Sequence, residues 1–361
     1  MKKVAAAQNE GVPDAPAPRR PPPTRVALAL GSGGARGYAH IGVIEALRDR
    51  GYEIAGISGS SMGAVVGGLQ AAGRLDEFAE WAKSLTQRTI LRLLDPSLTA
   101  AGVLRAEKIL DAVRDILGPV AIEDLPVPYT AVATDLLAGK SVWFQRGPVD
   151  EAIRASIAIP GVIAPHEIDG RLLADGGILD PLPMAPLSAI NADLTIAVSL
   201  SGSEAIAERE EEPGATVEWW SRMVRGTSAL FDTAAARSLL DRPTARAVLS
   251  RFGGPGAEAQ DWPDDPDDDE ALADSLVPHD IPKLGSFEVM NRTIDIAQAA
   301  LARHTLAVYP PDLLIEVPRS TCRSLEFHRA VEVIEAGRAL ADDALDALEG
   351  RGDNRAVAPA E

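Results

Sequence analysis

Cysteine is nearly absent from this 361-residue chain. Cys322 stands alone, so no disulfide can form within the chain and no cysteine cluster can hold a metal. Aromatic residues are scarce as well, at 4% against 46% hydrophobic residues overall. A core must therefore be packed from aliphatic and small side chains, which suits the close helix–sheet contacts of an α/β protein. Positive charge is outnumbered, with 35 Lys and Arg against 53 Asp and Glu and a formal net charge of −18. That balance argues against a general nucleic-acid binder, which carries a basic surface. Much of the acidity is local, in "DWPDDPDDDEALAD" from Asp261 to Asp274.

No stretch reads as a membrane span. The uncharged run from Ile54 to Gly73 comes nearest, but it is dense in glycine and carries serines and a glutamine. A buried strand followed by a buried helix accounts for it better. The first residues, "MKKVAAAQNEGVPDAPAPRRPPP", do not have the apolar core of a signal peptide and read as a disordered Pro/Ala-rich tail over 1–24. The expectation is a cytoplasmic protein, with any membrane contact peripheral.

What is present is a rhythm. "RVALAL" (Arg25 to Leu30) is a continuous apolar run, as a fully buried strand requires. His40, Ile44 and Leu47 then share a helical face that stops at Gly51. "YEIAGIS" is a second strand, and Met62 to Ala72 a second helix. Further strands are expected at Pro128 to Leu136, Ser141 to Gly147 and Ala192 to Leu200, with "VDEAIRASIAI" helical between them. Alternating strands and helices point to a mostly parallel, helix-covered sheet. We take 25–202 as the core and 203–283 as an insertion or cap with an acidic loop. Residues 284–346 read as a helix, a strand and a helix completing the core, and 347–361 as a polar tail.

The first strand ends in the glycine-rich "GSGGARG". A phosphate-binding loop of the Walker type needs Gly-Lys-Ser/Thr, which is missing. A dinucleotide fingerprint beginning at Gly31 requires glycine where Arg36 stands, although Glu53 lies near the place of a ribose-binding acid. The second strand supplies a better context. It ends in "GSSMG", in which Ser61 is flanked by Gly59 and Gly63 in a Gly-x-Ser-x-Gly pattern. A sharp strand-to-helix turn would present the Ser61 hydroxyl at a helix N-terminus, where the dipole favours negative charge. The alternative is a tight glycine turn with a capping serine. If Ser61 is a nucleophile, Gly33 and Gly34 can aim backbone N–H groups at an oxyanion. Arg36 either adds positive charge there or braces the loop against a carboxylate.

A proton acceptor is needed too. Of the five histidines, His304 and His328 lie in helical stretches, and only His166 stands in a loop near other site-like residues. Asp175, in "RLLADGGILDPLP", places a carboxylate at a strand end, although Asp-Gly-Gly alone is equally a plain turn.

The ordered set "GSGGARG", "GSSMG", "ASIAIPG" and "DGG" resembles the patatin-like phospholipase family, from about Arg25 to about Leu345. The resemblance implies a three-layer α/β/α fold with a mostly parallel central sheet, and a Ser–Asp dyad without a catalytic histidine. It makes Ser61 the nucleophile and Asp175 its partner, puts Gly33, Gly34 and Arg36 in the oxyanion loop, and gives Ser156 and Pro160 a supporting role. It implies no cofactor and no metal. Ser32 departs from it, standing where many members have glycine. The expected activity is hydrolysis of a lipid or simpler ester. The other reading is a regulatory or scaffold protein of the same fold, with little turnover. In "VEWWSRMVRGTSALF", Trp219, Trp220, Met223, Val224 and Phe231 suit contact with lipid, with the core or with a twin subunit in a homo-oligomer.

Overall fold

The computed structural model describes residues 22–93, 107–160, 162–202 and 286–356. The expected insertion and its aromatic segment lie outside them. The chain begins β1 (Arg25–Leu30), α1 (Ala39–Asp49), β2 (Glu53–Ser60), α2 (Met62–Ala71), α3 (Leu75–Lys83) and α4 (Gln87–Leu93). It continues α5 (Glu107–Leu117), β3 (Tyr129–Asp135), β4 (Lys140–Phe144), α6 (Val149–Ser156), β5 (His166–Ile168) and β6 (Arg171–Asp175). Then come β7 (Leu194–Gly202), α7 (Ser286–Val308), β8 (Leu313–Pro318) and α8 (Ala330–Ala356). The closing helix thus runs on into the stretch expected to be polar tail.

β1 lies at the centre of the sheet, paired in parallel with β2 on one side and β7 on the other, and β8 extends the sheet beyond β7. A strand so placed has no solvent face, which is why its apolar run is unbroken. Its side chains alternate between two cores. Val26, Leu28 and Leu30 enter the larger, shared with α1, α2, α3, α5, α6 and α8. Ala27 and Ala29 face the smaller, with Leu182, Met184, Leu187 and Ala302 of α7. The result is a mixed, mostly parallel sheet with helices on both faces. β1 connects onward to β2 on one side and pairs with β7 on the other, so the carboxyl ends of β1 and β2 lie at a topological switch point. Open α/β sheets bind ligands at such switch points.

Two further strands converge on β3. β4 pairs antiparallel with Ala131 to Asp135 and so fills one edge of β3. β2, parallel along Tyr129 to Val132, and β6, antiparallel along Ala133 to Asp135, must therefore share the other edge. β2 ends with Ser60 opposite Val132, and β6 ends with Asp175 opposite Ala133. Two strands running towards each other meet end to end on a common template.

α1 is locked against α8 through glycines. A Cβ on Gly42 would fall on the Ile334 carbonyl and 2.6 Å from the Arg338 nitrogen, and one on Gly337 would fall 2.6 Å from Ala39 Cα. Ion pairs from Arg50 to Asp342 and Asp346 line the same seam, at 3.1 and 2.6 Å, but exposed pairs contribute little. Gly42→Val should destabilise the protein by about 1–3 kcal/mol through overpacking. Urea denaturation measures this, and an unchanged midpoint would show that the helices separate freely.

Candidate active site

Ser61 sits between β2 and α2 with φ 55° and ψ −123°. It is one of two non-glycine residues with positive φ among those described. Such a conformation stores roughly 1–3 kcal/mol and persists only where the surroundings impose it. The flanking glycines show why. A Cβ on Gly59 would fall 2.6 Å from the Ala64 nitrogen, and one on Gly63 would fall 2.6 Å from the Leu30 carbonyl carbon. Only hydrogen at both places lets α2 start this close to β1 and β2. The Ser61 N–H donates to Ser156 Oγ at 2.9 Å, and Ser156 donates in turn to the Val132 carbonyl at 2.6 Å. Ser156 thus ties the turn to β3.

Asp175 arrives from the opposite direction. Ser61 Oγ donates to Asp175 Oδ2 at 2.5 Å, with the two residues 3% and 4% exposed. The other carboxylate oxygen accepts the Gly177 N–H at 2.7 Å. The backbone of Asp175 is fixed as well: its N–H reaches the Ala158 carbonyl at 2.9 Å and its carbonyl accepts from Thr134 Oγ1 at 3.0 Å. Burial pushes the Asp175 carboxyl up to about 6, and the hydrogen bonds from Ser61 and Gly177 only partly oppose it. Pro160 lies two residues beyond Ala158, in the turn between α6 and β5. It reaches the site through that turn and makes no hydrogen bond to Ser61 or Asp175.

The glycine loop is pinned at its ends and open in its middle. The amides of Gly31, Ser32 and Ala35 donate to the carbonyls of Val198, Pro181 and Ser324, at 3.0, 2.8 and 2.9 Å. Those of Gly33 and Gly34 have no backbone acceptor among the described residues. Gly34 has φ +58°, and a Cβ on Gly33 would fall 2.6 Å from Leu200 Cδ1. The Ser32 amide being spoken for, its departure from glycine leaves the two free donors where they are. Its side chain packs instead against Gly177, beside Gln298 of α7.

Arg36 braces the loop against the C-terminal part of the chain. Its guanidinium donates to the Cys322 carbonyl at 3.3 Å and pairs with Asp295 at 3.8 Å. Burial lowers its pKa, and Asp295 partly restores it. His166 is turned to Glu151 at 2.6 Å, and His40 to the Gly31 carbonyl at 2.9 Å. His279 lies outside the described residues. Thr134 and Gln298 are contributors that the sequence does not announce, whereas Gly177 appears there as the last residue of "DGG". Thr134 leaves only a faint trace, as one of two threonines, with Thr130, in the mainly apolar β3.

The patatin-like phospholipase family matches residues 28–188 of the chain. An uncharacterized NTE family protein of Mycobacterium tuberculosis is 74% identical over 347 residues, 93% of this chain and 96% of that one, and a Mycobacterium bovis counterpart matches equally. Neuropathy target esterase sws of Drosophila melanogaster is 31% identical over 186 residues, 50% of this chain and 13% of that protein. Among solved structures, VipD from Legionella pneumophila aligns with a TM-score of 0.40 at 15% identity, covering 91% of this chain and 67% of its own.

Strain at Ser61 has a direct consequence. Ser61→Gly should be more stable than Ser61→Ala by about 1 kcal/mol, because glycine alone adopts this backbone without strain. Paired urea unfolding curves measure the difference, and equal midpoints would mean that the turn is relaxed.

Proposed function

The chain belongs to the NTE family of patatin-domain proteins, and from that membership we propose that it is a lipid acyl hydrolase working through an acyl-enzyme on Ser61. The observation that carries this reading is the 2.5 Å hydrogen bond from Ser61 Oγ to Asp175 Oδ2 at a strained turn. Ser61 Oγ attacks the acyl carbonyl while its proton passes to Asp175. The developing oxyanion is received by the Gly33 and Gly34 amides, an arrangement in which one donor is commonly worth about 3 kcal/mol of barrier. The leaving alcohol takes the proton from Asp175. Water then attacks the acyl group, gives its proton to Asp175, and Ser61 is restored. A carboxylate titrating near its ordinary 3.8 is a poor base at neutral pH, and burial that raises Asp175 to about 6 improves the match.

Lipid esters are favoured over small polar ones by the lip of the site. The turn joining β3 to β4 extends beyond the carboxyl end of β3, the end of the sheet at which Ser61 lies. It carries Leu136 and Leu137, 42% and 75% exposed, and Leu179 follows one turn after Asp175 at 38%. The lip is rigid, since Asp135 Oδ1 accepts the amides of Leu137 and Ala138, and the Leu136 amide bonds to the Leu172 carbonyl. Exposed leucines on a braced turn suit contact with acyl chains. The esterase name of the Drosophila relative supports the bond type.

A fluorophosphonate probe should label Ser61 in the folded protein and not label Ser61→Ala; folded, unlabelled wild type would sink the hydrolase reading. Activity requires the Asp175 carboxylate, so kcat/KM should rise with pH through about 6 and level off above it. Stability runs the other way. The folded carboxyl holds its proton to a higher pH than the unfolded one, so its contribution is full below about 3.8 and lost as pH rises through about 6. Asp175→Asn should therefore abolish hydrolysis while stabilising the fold at pH 8, by on the order of 2 kcal/mol. Thermal unfolding at pH 5 and pH 8 tests the pair of effects. Leu137→Asp should reduce hydrolysis of phospholipid vesicles about tenfold or more and leave a short soluble ester within about twofold. Equal loss on both substrates would remove the lip from substrate selection.

A further inference from the structure

We propose that His40 is a positioning residue for this site: it holds the Gly31 carbonyl and so sets the direction in which the Gly33 and Gly34 amides point. The proposal rests on the hydrolase reading of Ser61 and Asp175.

His40 is the second residue of α1 and is wholly buried. Its Nε2 lies 2.9 Å from the Gly31 oxygen. A carbonyl can only accept, so Nε2 carries the proton and Nδ1 is bare. Nδ1 is itself buried, with no hydrogen-bond partner among the described residues. A second proton there would find no acceptor among the described residues. Desolvation accordingly pushes the ring down to about 4, against the modest upward effect of the Gly31 bond. At neutral pH this imidazole is a fixed single-proton donor and has no part as a base.

That donor is placed to matter. The peptide unit joining Gly31 to Ser32 is gripped at both ends, its carbonyl by His40 and its N–H by the Pro181 carbonyl. The next two amides are the free ones, and the amide after them is caught by Ser324. Gly33 and Gly34 can rotate readily, so their N–H directions depend on how firmly the units on either side are held. Of these grips, only the one from His40 comes from a side chain. Its base is stiff: Tyr38, just before α1, packs against Phe78 and Phe327 with ring centroids 6.3 and 6.1 Å apart. α1 itself is seated on α8 through Gly42 and Gly337. Loss of one oxyanion donor commonly lowers kcat by about 10²–10³-fold, and a donor left in place but misdirected should cost less.

The test uses the full chain, a short soluble ester, and the variants His40→Leu and His40→Gln. Leucine fills the space without a donor, whereas the glutamine carboxamide can offer an N–H at nearly the position of Nε2. We expect His40→Leu to lose about 10- to 100-fold in kcat with KM within about twofold. His40→Gln should recover kcat to within about fivefold of wild type. Both should keep the ascending pH limb near 6, which belongs to Asp175. Near-ultraviolet circular dichroism establishes that each variant is folded. A folded His40→Leu with wild-type kcat would overturn the proposal. So would a folded His40→Gln that has lost more than about 30-fold, which decides the matter even if the leucine variant does not fold. A pH limb that disappears in His40→Gln would make the histidine a base and overturn it too. Wild type without turnover would sink the hydrolase reading and this inference together, whereas an active wild type beside an undiminished leucine variant sinks this inference alone.

Discussion

Everything at the candidate site depends on one edge of β3. Strands β2 and β6 run towards each other along it and stop at adjacent registers, Val132 and Ala133. The proposed nucleophile comes just after the end of the first strand, and the proposed base is the last residue of the second. Neither residue needs a long side chain or an adjustable loop to reach the other. The 2.5 Å contact results from two backbone registers on a shared template. Strand registers are hard to slip, because a one-residue shift turns every side chain to the opposite face. The geometry is thus as secure as the sheet. Ser156 and Thr134 strengthen the joint, one tying the Ser61 amide to β3 and the other tying the Asp175 carbonyl to it.

The same close packing works on charge. Burial raises the Asp175 carboxyl and lowers the His40 imidazole, each towards its neutral form, because an apolar interior penalises whichever form is charged. The functional outcomes are opposite. For an acid that must accept a proton near neutral pH, an upward shift is useful, since it brings a weak base into range. For a histidine, a downward shift removes any acid–base role and leaves a plain hydrogen-bond donor. That His40 takes no part in proton transfer is therefore understandable in physical terms. His40 is the histidine closest in sequence to the glycine loop, and its surroundings deny it the second proton.

Much of the site is legible in the sequence, and the reason is local. β1 and β2 read clearly because continuous apolar runs meet glycine-rich turns, and each of those turns has steric demands that few residues satisfy. Gly59, Ser61 and Gly63 can be read as a sharp turn from their spacing together with their place between a buried strand and a helix. Asp175 can be placed at a strand end, but not on the correct edge of β3. That β6 runs antiparallel and fills the space beyond β2 is a non-local fact with no pattern in the residues of either strand. The sequence reads β4 as Ser141 to Gly147, whereas its pairing runs from Lys140 to Phe144, so the reading overruns by Gln145 to Gly147. Arg36 cannot be assigned between its two roles until Asp295 and Cys322, far along the chain, come beside it.

Ser32 shows how such a departure from a family pattern should be weighed. In sequence it interrupts a run of glycines where backbone donors are wanted, so it threatens the donors. In three dimensions its own amide is held by Pro181, so the proposed donors are the next two residues and not Ser32. Its hydroxyl is packed against Gly177, whose amide in turn holds Asp175. A glycine at position 32 would leave the Gly33 and Gly34 amides unchanged and remove a contact with Gly177. The residue that looks like a defect in the proposed oxyanion loop is better understood as part of the packing around Gly177, and so as support for Asp175.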